Sequence, residues 1–276
     1  MSGFSAGWLA LREPFDHAAR NATVAAACAA HFSSMESLSV VDLGCGTGSN
    51  LRALAPLLPA RQAWRLVDHD PALLLAARNA LAHWADEAAE DGGGLHLHKS
   101  GKTVAVRFEQ ADLARELSAV MENPAGLVTA TALFDLCSPK WIARFIRQLA
   151  ARKLPLLATL TYDGRAAWHP PHPADAAMLA AFHSHQRRDK GFGPAAGPEA
   201  AGVLARALTG ENYRIVQGES PWRIESGSTL GDALARGSAD AVRETGLVAE
   251  AIVSDWLRAR LPGGGCTIGH ADIFAW

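Results

Sequence analysis

Three glycines at alternate positions, Gly44, Gly46 and Gly48, follow the apolar pair Val40-Val41 and Leu43 and precede Ser49-Asn50. Such a run predicts a short buried strand, a tight turn and a helix capped near Ser49 or Asn50. Glycine in the turn lets backbone approach a ligand that any side chain would hold away. The N–H groups at the helix start then face a carboxylate or a phosphate. Two details narrow the ligand. The spacing is G-x-G-x-G, and the dinucleotide pattern G-x-G-x-x-G would need a glycine where Ser49 stands. Asp42 also sits two residues before the first glycine, an unfavourable place for a carboxylate beside a pyrophosphate. Both details suit a nucleoside with an amino acid tail and no phosphates.

The stretch 40–50 resembles motif I of the class I S-adenosylmethionine-dependent methyltransferases. Downstream, Trp64-Arg65-Leu66-Val67 reads as a second strand ending in Asp68-His69-Asp70-Pro71. A carboxylate at a strand tip can accept both ribose hydroxyls, and about 20 residues from the turn is the separation a β-α-β unit produces. Asp70 before Pro71 has the arrangement of a helix cap, so Asp68 takes the ribose. By resemblance, the third strand ends at Asp112-Leu113, where Asp112 would meet the adenine amino group; its competing role is a helix cap. The cofactor implied is S-adenosyl-L-methionine, held by Asp42, Gly44, Cys45, Gly46 and Asn50, by Asp68 and His69, and by Asp112, Leu113 and Thr129. Arg12, Asp16 and Arg20 share one helix face at spacings of four. They read either as a solvated ladder of charges or as the source of an arginine, Arg20, for the cofactor's carboxylate or the acceptor.

The elements that must position these residues alternate along the chain. Residues 8–32 predict a helical lead-in with a helix start at Pro14. Leu51, Leu54 and Leu58 fit the buried face of a first crossover helix, and residues 70–84 a second. Residues 87–94, acidic and glycine-rich, predict a loop. Alternation on both sides of Ser100-Gly101 predicts a hairpin whose second arm becomes the third strand. Residues 126–135 give a fourth strand, and Ser138-Pro139 starts a helix with Trp141, Phe145 and Leu149 inward. A fifth strand spans 154–161 and ends at Tyr162-Asp163-Gly164. Residues 165–198 are long for a connection and predict an inserted lid, its run His183 to Lys190 holding two arginines, Arg187 and Arg188, suited to an anionic acceptor. A sixth strand (213–217), two amphipathic helices (229–244 and 247–261) and a last strand (267–276) complete the chain.

The expected architecture is a single α/β domain over 1–276: a doubly wound, seven-stranded, mostly parallel sheet with its last strand antiparallel. Helices cover both faces, 1–38 form an N-terminal helical segment, and 165–198 form a cap. Ligands in such sheets bind beyond the carboxyl ends of the strands where strand order reverses, which puts 129–135 under the reacting group. Family members acting on nucleobase or protein amide nitrogens carry a Pro-Pro pair there; this chain has Leu133-Phe134-Asp135-Leu136. With a net charge of −2, a nucleic-acid partner is disfavoured and a small-molecule acceptor, which could be anionic, is expected. Asp135, Tyr162, His183 and His185 are the candidates for proton transfer. Cys28, Cys45, Cys137 and Cys266 are scattered without a C-x-x-C, His96 and His98 lack a placed third ligand, and no motif fixes the geometry of His169, His172, His183 and His185, so no metal is expected. No signal peptide or apolar span is read, which makes the cytoplasm the default location and no membrane partner the expectation. No signal for oligomeric state is legible. The rival readings are a cofactor-binding protein without catalysis and a nicotinamide-dependent oxidoreductase.

Overall fold

The computed structural model describes residues 4–122 and 125–276, so the first three residues of the expected N-terminal segment 1–38 lie outside the described residues. Two helices open the chain, α1 (Ala6–Ala19) and α2 (Ala22–Phe32). Ser5 caps α1 by accepting the Trp8 N–H, and Asn21 caps α2 by accepting those of Thr23 and Val24. The expected helix start at Pro14 is corrected: Pro14 lies inside α1. An interior proline forfeits one backbone bond. Packing of Trp8, Leu11 and Phe15 against Trp222, Ile224 and Leu230 offsets that loss.

Strand β1 (Ser37–Leu43), helix α3 (Ser49–Leu54), strand β2 (Arg61–Asp68) and helix α4 (Pro71–Trp84) follow. Asp70 caps α4 through the Ala72 N–H at 2.8 Å, with Pro71 in the first turn. Strands β3 (Glu87–Asp91), β4 (Gly94–Lys99) and β5 (Lys102–Gln110) come next. The hairpin at Ser100-Gly101 forms between β4 and β5. The acidic loop expected at 87–94 is instead mostly strand: β3 pairs antiparallel with β4, and Arg78 and Arg107 neutralise Glu90 and Asp91.

The remaining elements are α5 (Leu113–Glu122), β6 (Leu127–Thr131), α6 (Pro139–Arg152), β7 (Leu156–His169), α7 (Asp175–Gln186), α8 (Ala200–Gly210), β8 (Ile215–Glu219), β9 (Trp222–Ile224), α9 (Thr229–Thr245), α10 (Glu250–Arg258) and β10 (Gly265–Ala275). Strand order is β3-β4-β5-β2-β1-β6-β7-β10-β8, with β9 against β10. Seven of these strands form the expected central path, and β10 runs antiparallel to both of its long neighbours. Order reverses between β1 and β6, which pair in parallel from Val40↔Leu127 to Leu43↔Ala130.

Alternate residues of β1 point to opposite faces, and both are buried. Val40 joins α2, α3 and α4 in one core; Val41 and Leu43 join α5, α6 and α8 in the other. On the second face Trp141 stacks on Phe145 at 5.4 Å between ring centres. A smaller core joins α7, α9 and α10 through Met178, Ala235, Val242, Val253 and Trp256.

Strand β7 extends well past the expected end at 161, because β10 pairs with its outer part as far as Gly265↔His169. That pairing is kinked by register shifts around His270 and Asp272. Leu160, buried on β7, adopts φ +54°, a left-handed conformation that a branched side chain rarely takes. Asp272 compensates it. One carboxylate oxygen accepts the Leu160 N–H at 2.8 Å and the Ser220 hydroxyl at 2.6 Å, and the other accepts the Asn21 N–H at 2.8 Å. Removing it leaves buried donors unpaired, each costing about 1–3 kcal/mol. Asp272→Ala is therefore expected to lower the unfolding free energy by about 3 kcal/mol or more, read by urea denaturation. A loss under about 1 kcal/mol would mean that this carboxylate does not hold the kink.

Candidate functional site

The glycine turn leaves β1 with Gly44, Gly46 and Gly48 at φ +64°, +54° and +75°, so each uses the freedom that only glycine has cheaply. Space is tight as well. A Cβ on Gly44 would meet the Leu133 side chain at 3.3 Å, and one on Gly46 would meet Leu9 at 3.0 Å. The loop after β6 and helix α1 therefore both lie against the turn.

Asp42, at the end of β1, is buried. Its Oδ1 accepts the Asn50 amide at 2.7 Å and the Thr129 hydroxyl at 2.6 Å, while Oδ2 is buried with no partner. Burial pushes this carboxyl up to about 6, against the lowering effects of the Thr129 and Asn50 hydrogen bonds and the Arg20 charge. Arg20 donates from Nη2 to Asn50 Oδ1 at 2.9 Å, and its Nε is buried without a partner. Arg20, Asn50, Asp42 and Thr129 thus form one network that ends in two unsatisfied atoms of opposite character. Helix α1 is fastened over this network: Glu13 pairs with Arg52, and His17 Nε2 lies 2.9 Å from the Ser49 hydroxyl.

Asp68 lies at the tip of β2, next to β1 in the sheet. Its Oδ2 accepts the Gly46 N–H at 2.9 Å and its Oδ1 the Asp70 N–H at 3.0 Å, and His69 Nδ1 stands 3.3 Å away. A carboxylate has about four acceptor sites, so two stay available beyond these bonds. Asp112 caps α5 through the Ala114 N–H at 2.9 Å, and its own N–H donates to Glu116 at 2.7 Å, so both groups are held at the helix start. Its side chain is still 46% exposed, open to another donor. Cys45 is buried, its N–H donating to the Val67 carbonyl; burial raises its thiol. Leu113 is buried and its carbonyl accepts the Trp141 indole N–H at 3.0 Å.

A cavity of about 170 Å³ lies against helix α1 and the loop after β6, the two segments that also lie against the turn. One wall is a single face of the β7–β10–β9 arm. Tyr162, Ala166 and Trp168 alternate on β7; His270 stands opposite Tyr162, and Ile268 stands between Ala166 and Trp222. Helix α1 contributes Trp8 and Arg12, the cap contributes Phe182, helix α10 contributes Trp256, and the loop after β6 contributes Asp135.

The charges around this cavity are mostly paired. Arg12 and Asp16 form a buried bidentate pair at 2.9 and 3.2 Å, and Asp16 also accepts the Trp222 indole N–H. The reading of Arg12, Asp16 and Arg20 as a solvated ladder is corrected: the first two are buried together and Arg20 serves Asn50. Asp175 accepts from Trp256, Arg260 and His172. Asp135 Oδ1, by contrast, is buried with no partner, and burial pushes that carboxyl up to about 6. Trp8 Nε1 and His270 Nδ1 are likewise unpartnered. His270 is driven down to about 4 by burial and by Arg12, so its ring is neutral at ordinary pH.

Among the proton-transfer candidates, Asp135 and Tyr162 line the cavity. Tyr162 bonds His183 at 3.0 Å, and burial lowers that imidazole. His185 does not reach it; it pairs with Glu244 on α9. The lid arginines are also engaged, Arg187 with Glu199 and Arg188 with Glu244. That pairing occupies both arginines of the expected lid with glutamates. His172 pairs with Asp255 and His96 with Asp91, and among the described residues no group of three or more His, Cys, Asp or Glu could hold a metal. Sequence reasoning missed Trp8, Trp168, Trp222, Trp256 and His270 as lining residues. Their available signal was the two-residue alternation of Ala166/Trp168 and Ile268/His270 on strands longer than expected.

No family model matches the chain, and no curated protein matches it by sequence. Solved structures do match. A cyclopropane-fatty-acyl-phospholipid synthase-like protein from Lactobacillus casei is 13% identical over 99% of this chain and 95% of its own, with a TM-score of 0.55. The YcgJ protein from Bacillus subtilis is 14% identical over 92% of this chain and 98% of its own, with a TM-score of 0.50. The fold is that of the class I S-adenosylmethionine-dependent methyltransferases.

Burial of Asp42 gives a direct pH signature. Its folded-state value of about 6 lies above the ordinary 3.8, so the stability linked to its protonated form is present below about pH 4 and lost as pH rises through 6. Asp42→Asn removes the charge and keeps an acceptor for Asn50 and Thr129. The variant should exceed the parent in stability at pH 8 by up to about 3 kcal/mol, with the gap shrinking towards pH 5. Thermal melts at the two pH values measure this; a gap independent of pH would show that Asp42 is not the buried charge described.

Proposed function

We propose that the protein binds S-adenosyl-L-methionine in the glycine turn and transfers its methyl group to a small-molecule acceptor in the adjoining aromatic cavity. The carrying observation is the Arg20–Asn50–Asp42–Thr129 network, which ends in an open carboxylate oxygen and an open guanidinium N–H. That pair complements the ammonium and carboxylate of an amino acid tail. Asp68, with acceptor capacity left on the neighbouring strand, serves the ribose hydroxyls, and His69 flanks it. The exposed side of Asp112 serves the adenine amino group, with Leu113 beneath. Gly44, Cys45 and Gly46 supply backbone where a side chain would intrude.

Bound there, the cofactor supplies an electrophilic methyl group on a sulfonium whose departure leaves a neutral thioether. Because that leaving group is good, the protein's share is alignment and exclusion of water. Helix α1 and the loop after β6 close over the turn, and Leu9 and Leu133 touch its glycines. Asp135, carrying a raised value near neutrality, is suited to take a proton from an acceptor O–H or N–H. Tyr162, anchored by His183, shapes the same wall.

Isothermal titration with S-adenosylhomocysteine, with NAD in parallel, tests this reading. Micromolar binding of the homocysteine compound alone is expected, and NAD binding in its place would overturn the assignment. Asp68→Ala should weaken the same binding by about 1.5–3 kcal/mol, the value of hydrogen bonds to a charged group. An unchanged Kd in the folded variant would take Asp68 out of the ribose role.

A further inference from the structure

The aromatic cavity is more selective than a generic acceptor site. The role of its occupant as methyl acceptor rests on the methyltransferase reading; the binding of that occupant does not. Aromatic rings, among them those of Trp8, Tyr162, Trp168, Phe182, Trp222 and Trp256, stand around the cavity. Trp168 meets Trp256 edge-to-face at 5.1 Å, and Trp222 lies 4.8 Å from the His270 ring. Walls of this kind bury large apolar faces and favour flat rings in offset or edge-on contact. The polar groups then decide what the ring carries.

Among the described lining residues the one Lys or Arg is Arg12, and it is paired with Asp16. Behind the wall Arg260 donates to Asp175, and the lid arginines pair with Glu199 and Glu244. His270 is buried among Tyr162, Trp222 and Arg12 and is neutral. Two buried polar atoms with fixed roles stay open: Asp135 Oδ1, which can only accept when ionised, and Trp8 Nε1, which can only donate. A buried polar atom left unpaired is costly, so an occupant that meets both is favoured over one that meets neither.

We propose that the cavity selects an uncharged, ring-bearing molecule whose O–H or N–H donates to Asp135 and whose acceptor atom takes the Trp8 indole N–H, and that it rejects carboxylates of the same shape. A phenolic or heteroaromatic hydroxyl provides donor and acceptor on one atom. A carboxylate would bring like charge to Asp135 in a site whose one lining arginine, Arg12, is already paired with Asp16, and such a mismatch is a strong discriminator.

The test uses 2-naphthol and 2-naphthoate as probes with the full-length protein at pH 8, binding read by quenching of tryptophan fluorescence and by calorimetry, with and without S-adenosylhomocysteine. The naphthol should bind at least roughly tenfold more tightly than the naphthoate. Asp135→Asn should narrow that ratio at least roughly threefold, since the naphthoate no longer meets a charge. Trp8→Phe keeps the ring area and should weaken the naphthol alone. Near-UV circular dichroism and thermal melts establish that both variants fold. Naphthoate binding as tight as naphthol, binding of neither probe, or a ratio unmoved by Asp135→Asn each overturns the proposal. Should the naphthol selectivity hold while S-adenosylhomocysteine fails to bind, the methyltransferase reading falls and the cavity assignment stands; the reverse pattern sinks the cavity assignment alone.

Discussion

A carboxylate buried at the end of β1 is the constraint around which the rest is built. Desolvating Asp42 is expensive unless donors surround it. Asn50 from the first turn of α3 and Thr129 from β6 provide them, so the helix start and the neighbouring strand are tied to one oxygen. Arg20 then fixes Asn50 from the end of α1. Four separate segments thus converge on one charge, and the second oxygen is left buried without a partner. A buried acceptor of this kind is where the proposed ligand would find a place to donate.

The same economy of contacts explains why α1 belongs to both sites. Leu9 presses on Gly46, Glu13 pairs with Arg52, and His17 reaches Ser49, so one face of the helix covers the glycine turn. The adjoining face presents Trp8 and Arg12 to the aromatic cavity. Pro14 in the helix interior costs a hydrogen bond, yet the helix holds because both faces are packed. Its Arg12–Asp16 pair is not a surface decoration. It is buried under Trp222, with the guanidinium 4.9 Å from that ring, and it neutralises two charges that would otherwise bias the cavity.

Local chemistry made the first half of the fold legible. Glycine spacing, Asp68 at a strand tip, Asp70 before Pro71 and the Ser100-Gly101 hairpin each act over a few residues, and each formed where its residues placed it. The errors share one cause, which is that long-range pairing overrode a local signal. Glu87–Asp91 reads as an acidic loop, but β4 offers an unpaired edge and Arg78 and Arg107 cancel its charge. Arg187 and Arg188 read as a patch for an anion because Glu199 and Glu244, distant in sequence, could not be seen to meet them. Asp112 held two readings, and the structure fills one, the cap, while leaving the other face of the carboxylate open.

The outer half of β7 accounts for what the sequence concealed at the acceptor side. A strand ending at Tyr162 would leave 165–198 as a detached lid. Continued to His169 and paired with β10, it becomes a rigid wall on which Ala166 and Trp168 fall in step with Tyr162. The kink at Asp272 aims that wall: the register shifts flanking His270 set it opposite Tyr162, and the left-handed Leu160 is held by the Asp272 carboxylate. Cavity shape therefore depends on a buried acid that is not itself among the residues lining the cavity. The cavity wall is written in strand register and cross-sheet pairing, whereas the glycine turn is written in contiguous residues, and that difference is why one was readable from the chain alone and the other was not.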